Sequence, residues 1–194
     1  MLRIYRLPLR LITQGKWLRI THSAKAILPV LGVHADDDGI CWPGMKIIRY
    51  LSGCVRPETA RAGIRSLVEM DLIEKVRQGR RNVYYLKPPA ITEGKSYYPM
   101  SEEFVLTGWT SLSYVEKAVF AVLAVKATIE SRDDPDFPEG FAEDEEWFGA
   151  GEIQKKKWQR LAGISHRSCD KAIKGLIEKG QIVLREENRY IVCR

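Results

Sequence analysis

Much of the chemistry this 194-residue sequence could perform is excluded by what it lacks. Its four cysteines, Cys41, Cys54, Cys169 and Cys193, include no C-x-x-C pair, and only three histidines accompany them, so no structural zinc site is expected. The cysteines read as reduced packing residues. There is no glycine-rich phosphate loop ending in lysine, no H-E-x-x-H and no G-x-S-x-G. These absences point away from an enzyme and imply neither a cofactor nor a small-molecule substrate. No apolar run approaches the roughly 18 residues that span a bilayer, and Arg6, Pro8 and Arg10 interrupt the place where a signal peptide would carry its apolar stretch. The expectation is a cytoplasmic protein without a membrane partner.

What remains has the balance of an ordinary globular chain, 45% hydrophobic and 29% charged. Its formal net charge of +6 favours a polyanionic partner. The distribution of charge is more informative than the total. Residues 1–90 carry 16 basic and 7 acidic side chains, whereas residues 91–194 carry 15 and 18. One segment causes the reversal: residues 130–146 hold nine acids against Arg132 alone, and from Trp147 onward 11 bases again outnumber 5 acids. With two prolines and few apolar residues, this segment reads as a surface loop inserted into a basic unit.

The sequence also repeats itself, which constrains the whole architecture. WLRITHSAKAILPVLGVHA from Trp17 lies over WTSLSYVEKAVFAVLAVKA from Trp109 at an offset of 92, with identities that include Trp17/Trp109, Lys25/Lys117 and Ala26/Ala118. TARAGIRSLVEMDLI from Thr59 lies over SCDKAIKGLIEKGQI from Ser168 at an offset of 109, and the acidic insertion of about 17 residues accounts for the change. An internal duplication is therefore expected.

Each copy can be read element by element. In the first, Thr21 can N-cap a helix running to about His34, with Ala24, Ile27, Leu28 and Leu31 at helical spacing. A second helix opens near Trp42-Pro43-Gly44 with Ile47, Ile48 and Leu51 facing inward; a turn follows at residues 52–55, and Pro57 starts a third helix. LIEKV and VYYL flank RQGRRN as a strand–turn–strand wing. The second copy predicts helices over 113–129, 151–162 and 166–179, with Ser165 as an N-cap, then IVLRE and RYIVC paired across Glu187-Asn188. The fold class expected is mainly α with small β-hairpins (α+β): two winged-helix domains in tandem, at 1–90 and 97–194, joined by a linker at 91–96 whose approach is stiffened by Pro88 and Pro89, with the acidic insertion at 130–146.

LSGCVRPETARAGIRSLVEMDLIEKV and LAGISHRSCDKAIKGLIEKGQIV resemble the helix-turn-helix of bacterial winged-helix proteins, and IYRLPLRLITQGKW followed by THSAKAILPVL is similar to the N-terminal region of plasmid replication initiators. The resemblance implies double-stranded DNA as partner, a bacterial, nucleoid-associated location, and a part in replication initiation or transcription regulation. The other reading is an interaction module in a larger assembly, with a second copy of the chain or other proteins as partner.

The third helix of a helix-turn-helix enters the major groove, so its outward residues are the candidates for reading bases. With Cys169, Ala172, Ile173 and Leu176 turned to the core, Arg167, Lys171 and Lys174 form an outward stripe, and Ser165, His166 and Ser168 stand at its start. The equivalent stripe of the first copy is Glu58, Ala62 and Arg65, flanked by Arg56, Thr59 and Arg61. Arg77, Arg80 and Arg81 load the first wing for phosphate or minor-groove contact, while Arg185, Glu186, Glu187 and Arg189 leave the second wing near neutral. Lys155, Lys156 and Lys157 are candidates for weaker backbone contacts or a solvated helix face. Of the histidines, His22 and His34 fall at the ends of the first helix, where His34 can meet the helix dipole.

Overall fold

The stretch Ser23–Leu31 is so nearly continuous in apolar and small residues that it can form a helix only if neighbours surround it on every side. The computed structural model, which describes residues 3–88, 90, 97–132, 147–152, 155–184 and 189–193, places it that way. The first half runs β1 (Ile4–Pro8), α1 (Leu9–Thr13), α2 (Lys16–Arg19), α3 (His22–His34), β2 (Ile40–Cys41), α4 (Met45–Ser52), α5 (Pro57–Glu69), β3 (Ile73–Gln78) and β4 (Arg81–Leu86). The second half repeats the order with β5 (Tyr97–Ser101), α6 (Glu102–Leu106), α7 (Gly108–Ser111), α8 (Tyr114–Arg132), β6 (Trp147–Glu152), α9 (Lys155–Ala162), α10 (His166–Glu178), β7 (Ile182–Leu184) and β8 (Arg189–Cys193). The fold is mixed α+β, mostly helical, with three small antiparallel sheets among the described residues.

Local chemistry sets the helix ends. Thr21 is extended and its hydroxyl accepts from the Ala24 amide at 3.2 Å; Ser113, its equivalent at offset 92, accepts from the Glu116 amide at 3.3 Å. The Glu116 carboxylate answers by accepting from the Ser113 amide at 2.6 Å, a reciprocal capping pair. Pro57 opens α5, where its missing N–H costs nothing. α4 ends at Gly53 and α9 is followed by Gly163, with φ of 74° and 70°, a backbone conformation that side chains with a Cβ rarely adopt.

α3 is buried from Ser23 to Leu31, and α8 is buried from Glu116 to Val125. The two helices pack on each other at the centre, α5 against α3 and α10 against α8, and the buried apolar residues form one continuous cluster drawn from both halves. Each half has a three-stranded sheet, ordered β2-β4-β3 and β6-β8-β7, while β1 and β5 pair with each other across the halves.

The structure departs from the sequence expectations at several points. The helix expected from Trp42-Pro43-Gly44 starts at Met45, with Pro43 buried ahead of it. Ile47, expected to face inward, is 44% exposed, because the eight-residue α4 buries only Ile48, Leu51 and Ser52. Gly151 and Glu152, expected to open a helix, belong to β6, whose pairing with β8 completes the second sheet. The strands β1, β2, β5 and β6 and the short helices α1, α2, α6 and α7 are additions that the sequence patterns do not announce. α8 runs to Arg132, three residues into the expected insertion. The linker at 91–96 and residues 133–146 of the insertion lie outside the described residues.

Candidate nucleic-acid interface

α4, the turn at Gly53 and α5 make up the first helix-turn-helix, and a side chain fixes the turn. Arg49 donates from Nε to the Cys54 carbonyl at 3.3 Å and from a terminal nitrogen to the Val55 carbonyl, while Cys54 is buried beneath. Carbonyls left over beyond the end of α4 thereby gain a charged donor. Val55, 83% exposed, stands at the outer edge of this turn beside exposed Arg56.

α5 buries Ala60, Gly63, Ile64, Ser66 and Leu67. That leaves Glu58, Arg61, Ala62 and Arg65 exposed, with Thr59 half-buried. Glu58 and Arg61 are joined by an ion pair at 3.4 Å on the helix surface, so part of the charge of this stripe is internally matched. A pair this exposed contributes little to stability and can open to meet another partner.

α10 buries Cys169, Ala172, Ile173 and Leu176 and exposes His166, Arg167, Lys171 and Lys174. Ser165 and Ser168 are engaged locally. The Ser165 hydroxyl caps the helix by accepting from the Ser168 amide at 3.2 Å, and the two hydroxyls lie 2.9 Å apart. His166 Nδ1 sits 3.0 Å from Asp170, and Lys174 lies 3.8 Å from Glu178. Arg65, Arg80, Arg81, Arg167 and Lys171 are exposed and hold no ion-pair partner among the described residues. All five are open to an anionic partner, as are Lys46 and Arg56.

β3 and β4, expected as the first wing, form a hairpin in which Gln78 pairs with Arg81 and Arg77 with Asn82, closed by Gly79-Arg80 with φ of 59° at Gly79. Residues opposite each other share a face, so this register puts Arg77 and Arg81 on opposite faces, with Arg80 at the tip. Arg77 also donates to the Gly79 carbonyl at 3.2 Å. The three arginines therefore project from both faces and the tip of the hairpin. In the second half, β7 and β8 pair as expected, with Ile182 opposite Val192; residues 185–188 lie outside the described residues, as does the side chain of Arg189.

Lys155, Lys156 and Lys157 begin α9, and their side chains also lie outside what is described. α4 and α9 are both eight residues long and correspond at an offset of 110, which matches Lys46 with Lys156. Lys46, exposed on the first turn of α4, is a candidate that sequence reasoning missed. Its signal lies in the sequence repeat, since an offset of either 109 or 110 sets Lys46 over the lysine run, on Lys155 or Lys156. His34 Nδ1 donates to the Val30 carbonyl at 2.8 Å, which anchors the ring within its own helix. Burial lowers the pKa of His22, assisted by Lys25 nearby.

Beneath the exposed faces, the two halves exchange matched contacts. Trp17 Nε1 donates to the Ala118 carbonyl at 3.2 Å, and Trp109 Nε1 donates to the Ala26 carbonyl at 3.0 Å. Lys25 is buried and donates to the carbonyl of Ala162, at the end of α9, at 3.0 Å. Lys117, equally buried, donates to the Leu112 carbonyl and lies 3.5 Å from where a Cβ on Gly53 would stand. Desolvation holds both ammonium groups down to about 8. No group of metal-ligating side chains occurs among the described residues, and no described helix is long and apolar enough to cross a membrane.

Residues 18–73 match the family model of a helix-turn-helix domain. The matched stretch contains α3, α4 and α5 and ends at the first residue of β3. A domain of this kind suggests DNA binding. No curated protein and no solved structure matches the chain.

Proposed function

We propose that the chain is a non-enzymatic double-stranded DNA-binding protein built from two winged-helix units, residues 1–90 and 97–194, that arose by internal duplication and present α5 and α10 to the major groove. The observation that carries this reading is the helix-turn-helix match over 18–73, together with the second set of elements in the same order and with basic residues on the equivalent helix. Arg65, and Arg167 with Lys171, are situated to reach base edges, where arginine pairs with guanine through two hydrogen bonds. Val55 can offer apolar contact to a thymine methyl. Arg77, Arg80, Arg81 and Lys46 are suited to phosphates, which position a protein without specifying sequence. Lys155, Lys156 and Lys157 are assigned the same work.

The resemblance of the N-terminal region to plasmid replication initiators supports a part in replication initiation, with transcription regulation as the neighbouring role, in the cytoplasm beside the nucleoid. Selection of the full chain against a random duplex pool tests the proposal. Enrichment of a defined duplex motif, reduced when Arg167 or Arg65 is changed to alanine, is the expected result. A pool that never departs from its starting composition would overturn it.

A further inference from the structure

From the matched contacts between the halves we infer that the duplex recognised is an inverted repeat of two unequal half-sites, bound by one chain in one polarity. This inference rests on the DNA-binding reading above and adds the geometry of the target.

The contacts reveal the relation between the halves. Trp17 meets Ala118 and Trp109 meets Ala26, and the two pairs are exchanged by the offset of 92. When residue i touches the equivalent of j and j touches the equivalent of i, the two units are related by a twofold rotation. A simple translation from one half to the next would make the contact in one direction only. The strand pair agrees: Ile4 lies opposite Ser101 and Pro8 opposite Tyr97, so the start of each strand meets the end of its equivalent, with Arg6 across from Pro99 at the centre. The lysines follow the same rule. Lys25 reaches the end of α9 in the second half, and Lys117 stands against Gly53 at the end of α4 in the first.

A local dyad therefore runs between α3 and α8, and α5 and α10 are exchanged by it. A duplex that engages both helices presents its half-sites to them in opposite orientation, as a twofold dimer requires of its operator. Buried cross-half contacts at both helix-turn-helix turns hold this orientation, so the halves do not swing into a direct-repeat arrangement. The two arms nevertheless differ. α5 offers Glu58, Ala62 and Arg65 where α10 offers Arg167, Lys171 and Lys174. A homodimer reads two identical arms and can bind either way round; this chain reads a pseudo-palindrome with a left and a right.

The test starts from the duplex selected by the full chain. One half-site is inverted in place to give a direct repeat of unchanged composition and spacing, and affinity is compared by gel shift. A loss of at least about tenfold is expected, since misplacing even one or two base contacts costs that much. Arg65→Ala should relax sequence preference in one arm and Lys171→Ala in the other, both read by repeating the selection. Equal affinity for the inverted and direct arrangements would overturn the inference, as would a selected site with a single arm; either result leaves DNA binding standing. Absence of any duplex binding would instead remove the reading on which the inference rests.

Discussion

Replacing Lys25 with methionine should change how stability depends on pH, in a direction fixed by its surroundings. The Lys25 side chain is 1% exposed, with the Ala162 carbonyl as acceptor, and burial lowers its ammonium from 10.5 to about 8. In the unfolded chain it returns to its ordinary value. Below pH 8 both states hold the proton and the folded state bears the whole cost of a buried charge. As pH rises from about 8, the folded state releases the proton first, and up to about 10.5 the unfolded state binds more protons. Stability from this group therefore increases with pH across that interval. One pH unit corresponds to about 1.4 kcal/mol, so the full effect is about 3 kcal/mol. Lys25→Met preserves the length of the apolar stem and abolishes the titration. It also strands the Ala162 carbonyl, at a cost of roughly 1–3 kcal/mol, which the removal of the buried charge offsets near neutrality. Urea unfolding of both proteins, followed by tryptophan fluorescence from about pH 7 to about pH 10.5, isolates the lysine, because the His22 titration that Lys25 influences is shifted down, away from this range. The stability difference should move in favour of the native chain by about 3 kcal/mol over that range. A difference that stays flat with pH would rule out a buried lysine that titrates in the folded state.

Packing and binding give further expectations. Trp17→Phe and Trp109→Phe each remove a buried donor to a carbonyl of the other half, and each should lower unfolding stability by about 1–3 kcal/mol; a loss confined to one of the two would argue against their equivalence. Gly63→Ala places a Cβ 2.7 Å from Ile27 Cδ1 and 2.9 Å from the Ser23 backbone where α5 crosses α3. Because backbone must move, a cost of about 1–3 kcal/mol is expected in the same assay. Arg167→Ala and Lys171→Ala should each weaken duplex binding, and where the lost contact is to a phosphate, the log–log salt slope should become shallower by about 0.9.

The elements that are legible in the sequence carry their instructions locally. Thr21, Pro57 and Ser165 mark helix starts through their own backbone chemistry, and the periodicity of Ala60, Ile64 and Leu67 and of Cys169, Ala172, Ile173 and Leu176 determines which faces are buried. Those same periods put Arg65, Arg167, Lys171 and Lys174 on exposed surfaces. What the sequence leaves hidden depends on distant partners. Ile4–Pro8 is a strand only because Tyr97–Ser101 lies beside it, and Pro8 at its end disguises the segment further. β2 is two residues long, too short to leave a pattern. The identity of Lys25 and Lys117 is visible in the repeat, but a lone lysine in an apolar helix reads as a surface residue. Its burial follows from a carbonyl supplied by the other half, 137 positions away. Similarly, the sequence identifies Ser165 as the cap of its helix, but not the 2.9 Å contact between its hydroxyl and that of Ser168.

Salt dependence of duplex binding by the full chain bears most immediately on whether this molecule is a DNA-binding protein. A chain that neutralises several phosphates through Lys46, Arg77, Arg80, Arg81, Lys155, Lys156 and Lys157 should show log affinity falling linearly with log salt, with a slope of about −4 or steeper. Duplex affinity that is absent at low salt, or indifferent to it, is incompatible with that function.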